Sequence, residues 1–280
     1  MKRVETPDGS VHVRASSTDL AGTPLLLLHG FPTSSFDFAE VWDDLARDRP
    51  LASFDFLGFG LSDKPRDFGY SLFEQADVAT RVVRELGWRR VHVLGHDMGT
   101  SVLTELLARR ERGLLPFEVA SITLTNGSVH VGMAHLTVGQ RILRSKAGPL
   151  FARLGTRRTF KAQLRRVFAK PPPDAVLDAM YELVDREDGA QRLPAIVGYI
   201  AERVRFERRW VGALERLDVP ALVAWGALDP VAILPIGQRL AREIPGAELV
   251  TWDTLGHYPQ VEDPAAFASA VNGFLRRVDR

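Results

Sequence analysis

Asp97, Asp229 and His257 are the residues whose types and settings point most directly to covalent chemistry. Asp97 lies in Val91-His92-Val93-Leu94-Gly95-His96-Asp97-Met98-Gly99-Thr100. A short apolar, β-branched run leads into Gly-x-Asp-x-Gly. Val102, Leu103, Leu106 and Leu107 then follow at helical spacings. This reads as strand, sharp turn and helix, with an acid where such elbows usually carry serine. Glycines on both sides let the turn tighten without Cβ clashes. The carboxylate is expected at the carboxyl edge of a sheet, beside a helix N-terminus with free N–H groups and partial positive charge. The plain alternative is an aspartate that only caps a helix.

Asp229 follows an apolar run at residues 221–225, and His257 follows an expected last strand at 248–252. Nucleophile, acid and histidine thus come in the chain order Asp97, Asp229, His257, each just after an expected strand. A serine in this role must lose a proton and then attacks acyl carbon. A free aspartic acid, with a reference pKa of about 3.9, is already ionised at neutral pH. Its attack on saturated carbon gives an alkyl ester of the enzyme. His257 is then needed second, to draw a proton from the water that hydrolyses the ester. Asp229 would hold the imidazole tautomer and stabilise its cation. The backbone N–H groups of Met98 and Phe31 are the expected oxyanion hole.

The elements needed to position these groups are legible along the chain. Residues 11–14 alternate and read as an outer strand after the turn Pro7-Asp8-Gly9. Residues 25–28 and 51–54 are continuous apolar runs, as in strands covered on both faces. Helices are expected at 36–47, at 72–86 with a Ser71–Glu74 capping box, at 231–244 and at 265–277. Residues 121–125 form a further strand ending at Asn126-Gly127. The alternation argues for a doubly wound α/β sheet, with sites at the carboxyl ends of strands, where His29, Asp97 and Asn126 lie. Gly58-Phe59-Gly60 does not make a dinucleotide fingerprint: the third glycine is missing and Pro65 interrupts the helix.

From Ser128 to Trp210 the pattern is helical throughout, broken by Pro171-Pro172-Pro173. The expected organisation is a core of residues 1–127 and 211–280 with a helical cap at 128–210. Between Ser121 and Pro173 there is no Asp or Glu, while Arg141, Arg144, Lys146, Arg153, Arg157, Arg158, Lys161, Arg165, Arg166 and Lys170 are all basic. Phe160, Leu164, Val167 and Phe168 form an apolar stripe among them. Such a segment can lie on an anionic membrane. A solvated face packing its apolar side on its own domain is the commoner case and the expectation here.

Composition narrows the classes. A formal charge of +1 gives no electrostatic case for nucleic acid. The absence of cysteine excludes disulfides, thiolate zinc sites and cysteine nucleophiles. His12, His92, His96, His130 and His135 show no ligand spacing, so neither metal nor cofactor is expected. The N-terminus lacks an apolar signal core and no stretch is long enough to span a bilayer. The expectation is a cytoplasmic protein, monomeric or homodimeric.

The elbow, His29-Gly30-Phe31-Pro32 and the placement of Asp229 and His257 resemble the α/β-hydrolase superfamily, in its epoxide hydrolase and haloalkane dehalogenase branch. Four stretches are similar to the mesoderm-specific transcript proteins of that branch: Phe56-Leu57-Gly58-Phe59-Gly60-Leu61-Ser62-Asp63-Lys64-Pro65-Arg66, Tyr70-Ser71-Leu72-Phe73-Glu74-Gln75-Ala76, Arg209-Trp210-Val211-Gly212-Ala213-Leu214 and His257-Tyr258-Pro259-Gln260-Val261-Glu262-Asp263-Pro264. The resemblance implies a mostly parallel eight-stranded sheet with an inserted helical cap. Dehalogenases typically hold the halide with a Trp after the nucleophile and often an Asn in the His-Gly-x-Pro loop. Here those positions are Met98 and Phe31, whose side chains have no N–H. Fluoroacetate dehalogenases carry arginines beside the nucleophile, where this chain has Met98 and Thr100. Epoxide hydrolases use cap tyrosines to protonate the departing alkoxide, and Tyr199 occupies a position similar to one of them. Tyr181 is a second candidate without a clear counterpart. The expected substrate is a small-molecule epoxide. His29, Pro32, Asn126, Tyr181 and Trp210 are the expected substrate contacts. A haloalkane dehalogenase and a non-catalytic binding protein of the same fold are the alternatives.

Overall fold

The apolar runs become strands buried on both faces. The computed structural model describes residues 2–17 and 20–280. Its strands are β1 (Lys2–Thr6), β2 (Gly9–Ala15), β3 (Leu25–Leu28), β4 (Leu51–Phe54), β5 (Arg90–His96), β6 (Glu118–Thr125), β7 (Ala221–Gly226) and β8 (Glu248–Trp252). They form one eight-stranded sheet in the order β1-β2-β4-β3-β5-β6-β7-β8. β1 pairs with β2, and β2 with β4, antiparallel; every other pairing is parallel. All residues of β3, β4 and β7 are buried, while β8, at the edge, alternates with solvent. The outer strand is β1 and not the 11–14 run. In β1 only Val4 is buried, so its sequence carries almost no alternation to detect.

The helices are α1 (Trp42–Leu45), α2 (Leu72–Glu85), α3 (Met98–Arg110), α4 (Val138–Leu143), α5 (Gly148–Leu154), α6 (Arg157–Leu164), α7 (Asp174–Asp185), α8 (Leu193–Ile196), α9 (Tyr199–Glu215), α10 (Leu234–Glu243), α11 (Pro259–Glu262) and α12 (Pro264–Val278). The Ser71–Glu74 capping box opens α2 as expected. Two helices are shorter than expected, for local reasons. The 36–47 segment divides into a 3-10 turn, Ser35–Phe38, capped by Ser34, and the single turn α1. Phe38, Val41, Trp42 and Leu45 are nevertheless all buried. The helix expected from 231 begins at Leu234, because the Asp229 carboxylate takes the N–H groups of Val231 and Ala232 into a turn.

Between β6 and β7 the chain forms only helices, α4 to α9 and short 3-10 turns. Leu164, Val167, Phe168, Leu177 and Met180 form their own small core, closed by Val231 and Tyr258 from the sheet side. The expected boundary between cap and core at 210/211 falls inside α9, which runs continuously from Tyr199 to Glu215. Trp210 and Arg209 of α9 donate to Glu105 of α3, so this helix is fastened to the sheet layer. No helix among the described residues is long and apolar enough to cross a membrane.

Candidate active site

Asp97 stands at the end of β5 with φ 45° and ψ −109°, a strained turn conformation for a non-glycine residue. The turn closes because two neighbours are glycines. A Cβ on Gly99 would lie 2.2 Å from the carbonyl oxygen of Leu28, and one on Gly30 would lie 2.7 Å from Cβ of Asp97. The Phe31 N–H donates to Asp97 Oδ2 at 2.9 Å, as one arm of an oxyanion hole would. Met98 opens α3 with its side chain buried.

Behind the candidate nucleophile, His257 and Asp229 meet. His257 Nδ1 lies 2.7 Å from Asp229 Oδ2. Asp229 Oδ1 accepts from Val231 and Ala232, at 2.7 and 3.0 Å, so both carboxylate oxygens are satisfied. Burial pulls the His257 pKa down, but the charge and hydrogen bond of Asp229, with the charge of Asp97, push it up to about 9. His257 and Asp97 line the same cavity. The cavity measures about 130 Å³ and lies between the carboxyl edge of the sheet and the helices that follow β6.

Several residues hold this geometry. Asn126, itself at φ 44°, donates to Asp229 Oδ2 at 2.8 Å and accepts from the Gly226 N–H at 3.0 Å. Glu262 accepts from the N–H groups of Gly256 and Tyr258, and from those of Ala169 and Lys170, tying the histidine loop to the inserted helices. His96 Nε2–H donates to the carbonyl of His257 at 2.8 Å. Burial, with the neighbouring His257, lowers the His96 pKa to about 3, so this ring stays neutral.

Arg203 has no counterpart in the sequence reading. It is 3% exposed; its Nη2 donates to the Asp97 backbone carbonyl at 3.0 Å and lies 3.6 Å from Asp97 Oδ1. Its Nε donates to Ser101 at 2.8 Å, and its guanidinium lies over the Tyr199 ring, 4.6 Å from the centroid. Two carboxylates, Asp97 and Asp229, thus face two cationic groups, Arg203 and protonated His257. Asp37, fully buried nearby, accepts from Thr33 at 2.5 Å, and burial pushes its pKa well up. Nothing in the sequence singles out Arg203 from Arg205, Arg208 and Arg209 around it. Only burial does.

The expected substrate contacts divide. Pro32 and Tyr181 line the cavity. Three others do not, and each has another task. His29 is held at both nitrogens by backbone, accepting from the Phe56 N–H at 3.0 Å and donating to the Gly30 carbonyl at 2.9 Å. Trp210 is fully buried against α3 with its Nε1 on Glu105 at 2.9 Å. Asn126 positions the acid. Tyr199 stands one layer out from the cavity. Its ring packs on Phe31, 5.7 Å between centroids, and its hydroxyl accepts from Gln140 at 3.3 Å. Phe31 and Gln140 both line the cavity and stand between it and Tyr199. Burial, then the Asp97 charge, raises the Tyr199 pKa, so the phenol keeps its proton. Among the described residues no cluster of His, Asp and Glu could hold a metal ion.

The sequence profile of the α/β hydrolase fold matches residues 23–264. The chain belongs to the α/β-hydrolase family. This α/β hydrolase is similar over most of its length to LipZ of Mycobacterium tuberculosis: 44% identical over 273 residues, covering 96% of this chain and 93% of that protein. It is 36% identical over 271 residues to the mesoderm-specific transcript protein of Mus musculus, covering 92% and 81%. A haloalkane dehalogenase from Bradyrhizobium elkani has the same fold, with a TM-score of 0.82 at 19% identity over 99% of this chain and 97% of that one.

Proposed function

We propose that this α/β hydrolase opens epoxides to vicinal diols through an ester on Asp97. The observation that carries the reading is the residue at the elbow: a buried carboxylate, one oxygen on the Phe31 N–H, sharing a cavity with the His257–Asp229 pair. With Oδ2 on that N–H, Oδ1 is the attacking atom. It bonds to a ring carbon, the ring C–O bond breaks, and the alkoxide takes the phenol proton of Tyr199. Substrate must displace the Gln140 amide to reach that hydroxyl. His257 then removes a proton from water, whose oxygen adds to the Asp97 carbonyl carbon. The N–H groups of Phe31 and Met98 hold the oxyanion. The ester C–O bond breaks, the diol leaves with the proton from His257, the second proton of the water returns to the Tyr199 phenolate, and Asp97 is restored as a carboxylate with one oxygen from water. In this reading the helices between β6 and β7 act as the cap, and Pro32 and Tyr181 touch substrate.

Dehalogenation is the second reading, favoured by the dehalogenase likeness. Against it stand Met98 and Phe31, which offer no side-chain N–H to a leaving halide. Single turnover of styrene oxide in heavy-oxygen water should place the label on Asp97 and leave the first diol unlabelled. Label in the first diol would overturn the covalent route. In the same assay Tyr199→Phe should slow ester formation and leave ester hydrolysis unchanged. Asp97→Ala should lose roughly a thousand-fold or more of turnover. Halide release from bromoalkanes without diol formation from any epoxide would transfer the assignment to the second reading.

A further inference from the structure

The basic segment after β6 carries its charges in two different arrangements. On α6 and just beyond it three of the cations are paired with α7: Arg157 with Asp178 and Glu182, Lys161 with Asp174 and Asp178, Arg165 with Asp174; Arg158 and Arg166, exposed beside them, have no carboxylate partner among the described residues. The apolar stripe between them faces inward, Phe160 and Leu164 lining the cavity and Val167 and Phe168 joining the small core. That stripe is therefore not a membrane face.

The α4–α5 corner is the opposite case. Arg141, Arg144, Lys146 and Arg153 are exposed, and none is paired with a carboxylate among the described residues. Leu150 and Leu154 protrude beside them, 60% and 67% exposed, with Val138 on the preceding helix at 59%. Leu150 and Leu154 are one turn apart, so they share a face of α5. The other face is buried: Phe151 and Ala152 line the cavity. One short helix thus has leucines outside, on a corner that carries these unpaired cations, and the wall of the active cavity inside.

We propose that the α4–α5 corner docks on an anionic lipid bilayer, from which apolar substrate enters the cavity. Charge complementarity selects the occupant. Unpaired cations of one sign around protruding aliphatic side chains fit a charged headgroup layer over acyl chains. Three exposed apolar side chains fall well short of the roughly 800 Å² per partner of a stable protein interface. The inference applies to any apolar substrate and is independent of epoxide opening.

Vesicle flotation of the full chain tests it. The protein should float with phosphatidylcholine vesicles containing phosphatidylserine, stay behind with phosphatidylcholine alone, and be released as salt rises. Reversing Arg141, Lys146 and Arg153 to Glu should lower binding about ten-fold or more. Leu150→Ser with Leu154→Ser should weaken binding with the charge unchanged. Both variants should keep wild-type turnover of a water-soluble substrate, which also reports that they fold. Arg165→Glu, in the paired set, should bind like wild type. No flotation of wild type at low salt would overturn the proposal. So would equal binding of all variants, or capture by an acidic polypeptide without flotation.

Discussion

A carboxylate nucleophile differs from a serine in one property that matters for its neighbours: its charge disappears when it reacts. In the resting site the Asp97 charge helps keep His257 protonated up to about pH 9. On the proposed route alkylation of Asp97 would remove that charge, so the imidazole pKa would fall and the ring would become a base once there is an ester to hydrolyse. Two titrations should therefore differ. The imidazole signal of the free protein should inflect near 9 by NMR, whereas the ester-hydrolysis phase should accelerate with pH and inflect lower. Coincident inflections would show that the Asp97 charge is not felt. The same shift has a sign for stability. The folded pKa lies above the ordinary imidazole value of 6.5, so the contribution is complete below 6.5 and is lost as pH rises through about 9. Asn126 acts on this pair from outside the cavity. Asn126→Ala removes the 2.8 Å donor to Asp229 and should cut kcat about a hundred-fold with KM little changed, as expected for a misoriented acid. A raised KM with kcat preserved would make Asn126 a substrate contact after all.

At the scale of elements, the pair α3 and α9 holds the elbow. Arg203 ties the start of α9 to the Asp97 backbone, and Arg209 and Trp210 tie its far half to Glu105. Glu105 also takes Arg109 at 2.9 Å within α3. Burial raises the Glu105 pKa, but the hydrogen bonds from Arg209, Trp210 and Arg109 outweigh it and hold the carboxyl below the usual range. This contribution is present above the unfolded value and is lost as pH falls through the folded one. Glu105→Ala should destabilise by about 3 kcal/mol, the low end for a broken buried pair, since both arginines still reach solvent. Chemical denaturation measures it. A loss below about 0.5 kcal/mol would mean that the network adds nothing beyond packing.

At the scale of the molecule, the cavity arises because two layers of different origin meet over the sheet edge. The sheet supplies charge and the strained turn. The inserted helices supply the apolar walls through residues such as Leu143, Phe151 and Leu164. A dry cavity of about 150 Å³ holds a benzene-sized molecule, and the 130 Å³ here is of that order. Styrene-type and short aliphatic epoxides should therefore turn over faster than bulky terpenoid ones. The reverse ranking in a substrate panel would mean that the inserted helices move apart to bind.

What the sequence determined by itself is the part written locally: buried strands as apolar runs, an acid between two glycines, and the acid and histidine each just past a strand. These follow from short-range sterics and from the two-residue and 3.6-residue periodicities, so neighbours in the chain suffice. Tertiary structure decided which polar groups gather around the site. Arg203 is one arginine of several on α9 until its helix is laid over the elbow. Gln140 gains a role only because α4 comes to rest beside Tyr199. His29 and Trp210 lose theirs because Phe56 and Glu105 reach them first. Facing and burial depend on contacts between residues 27 to 106 positions apart, and no local pattern encodes those.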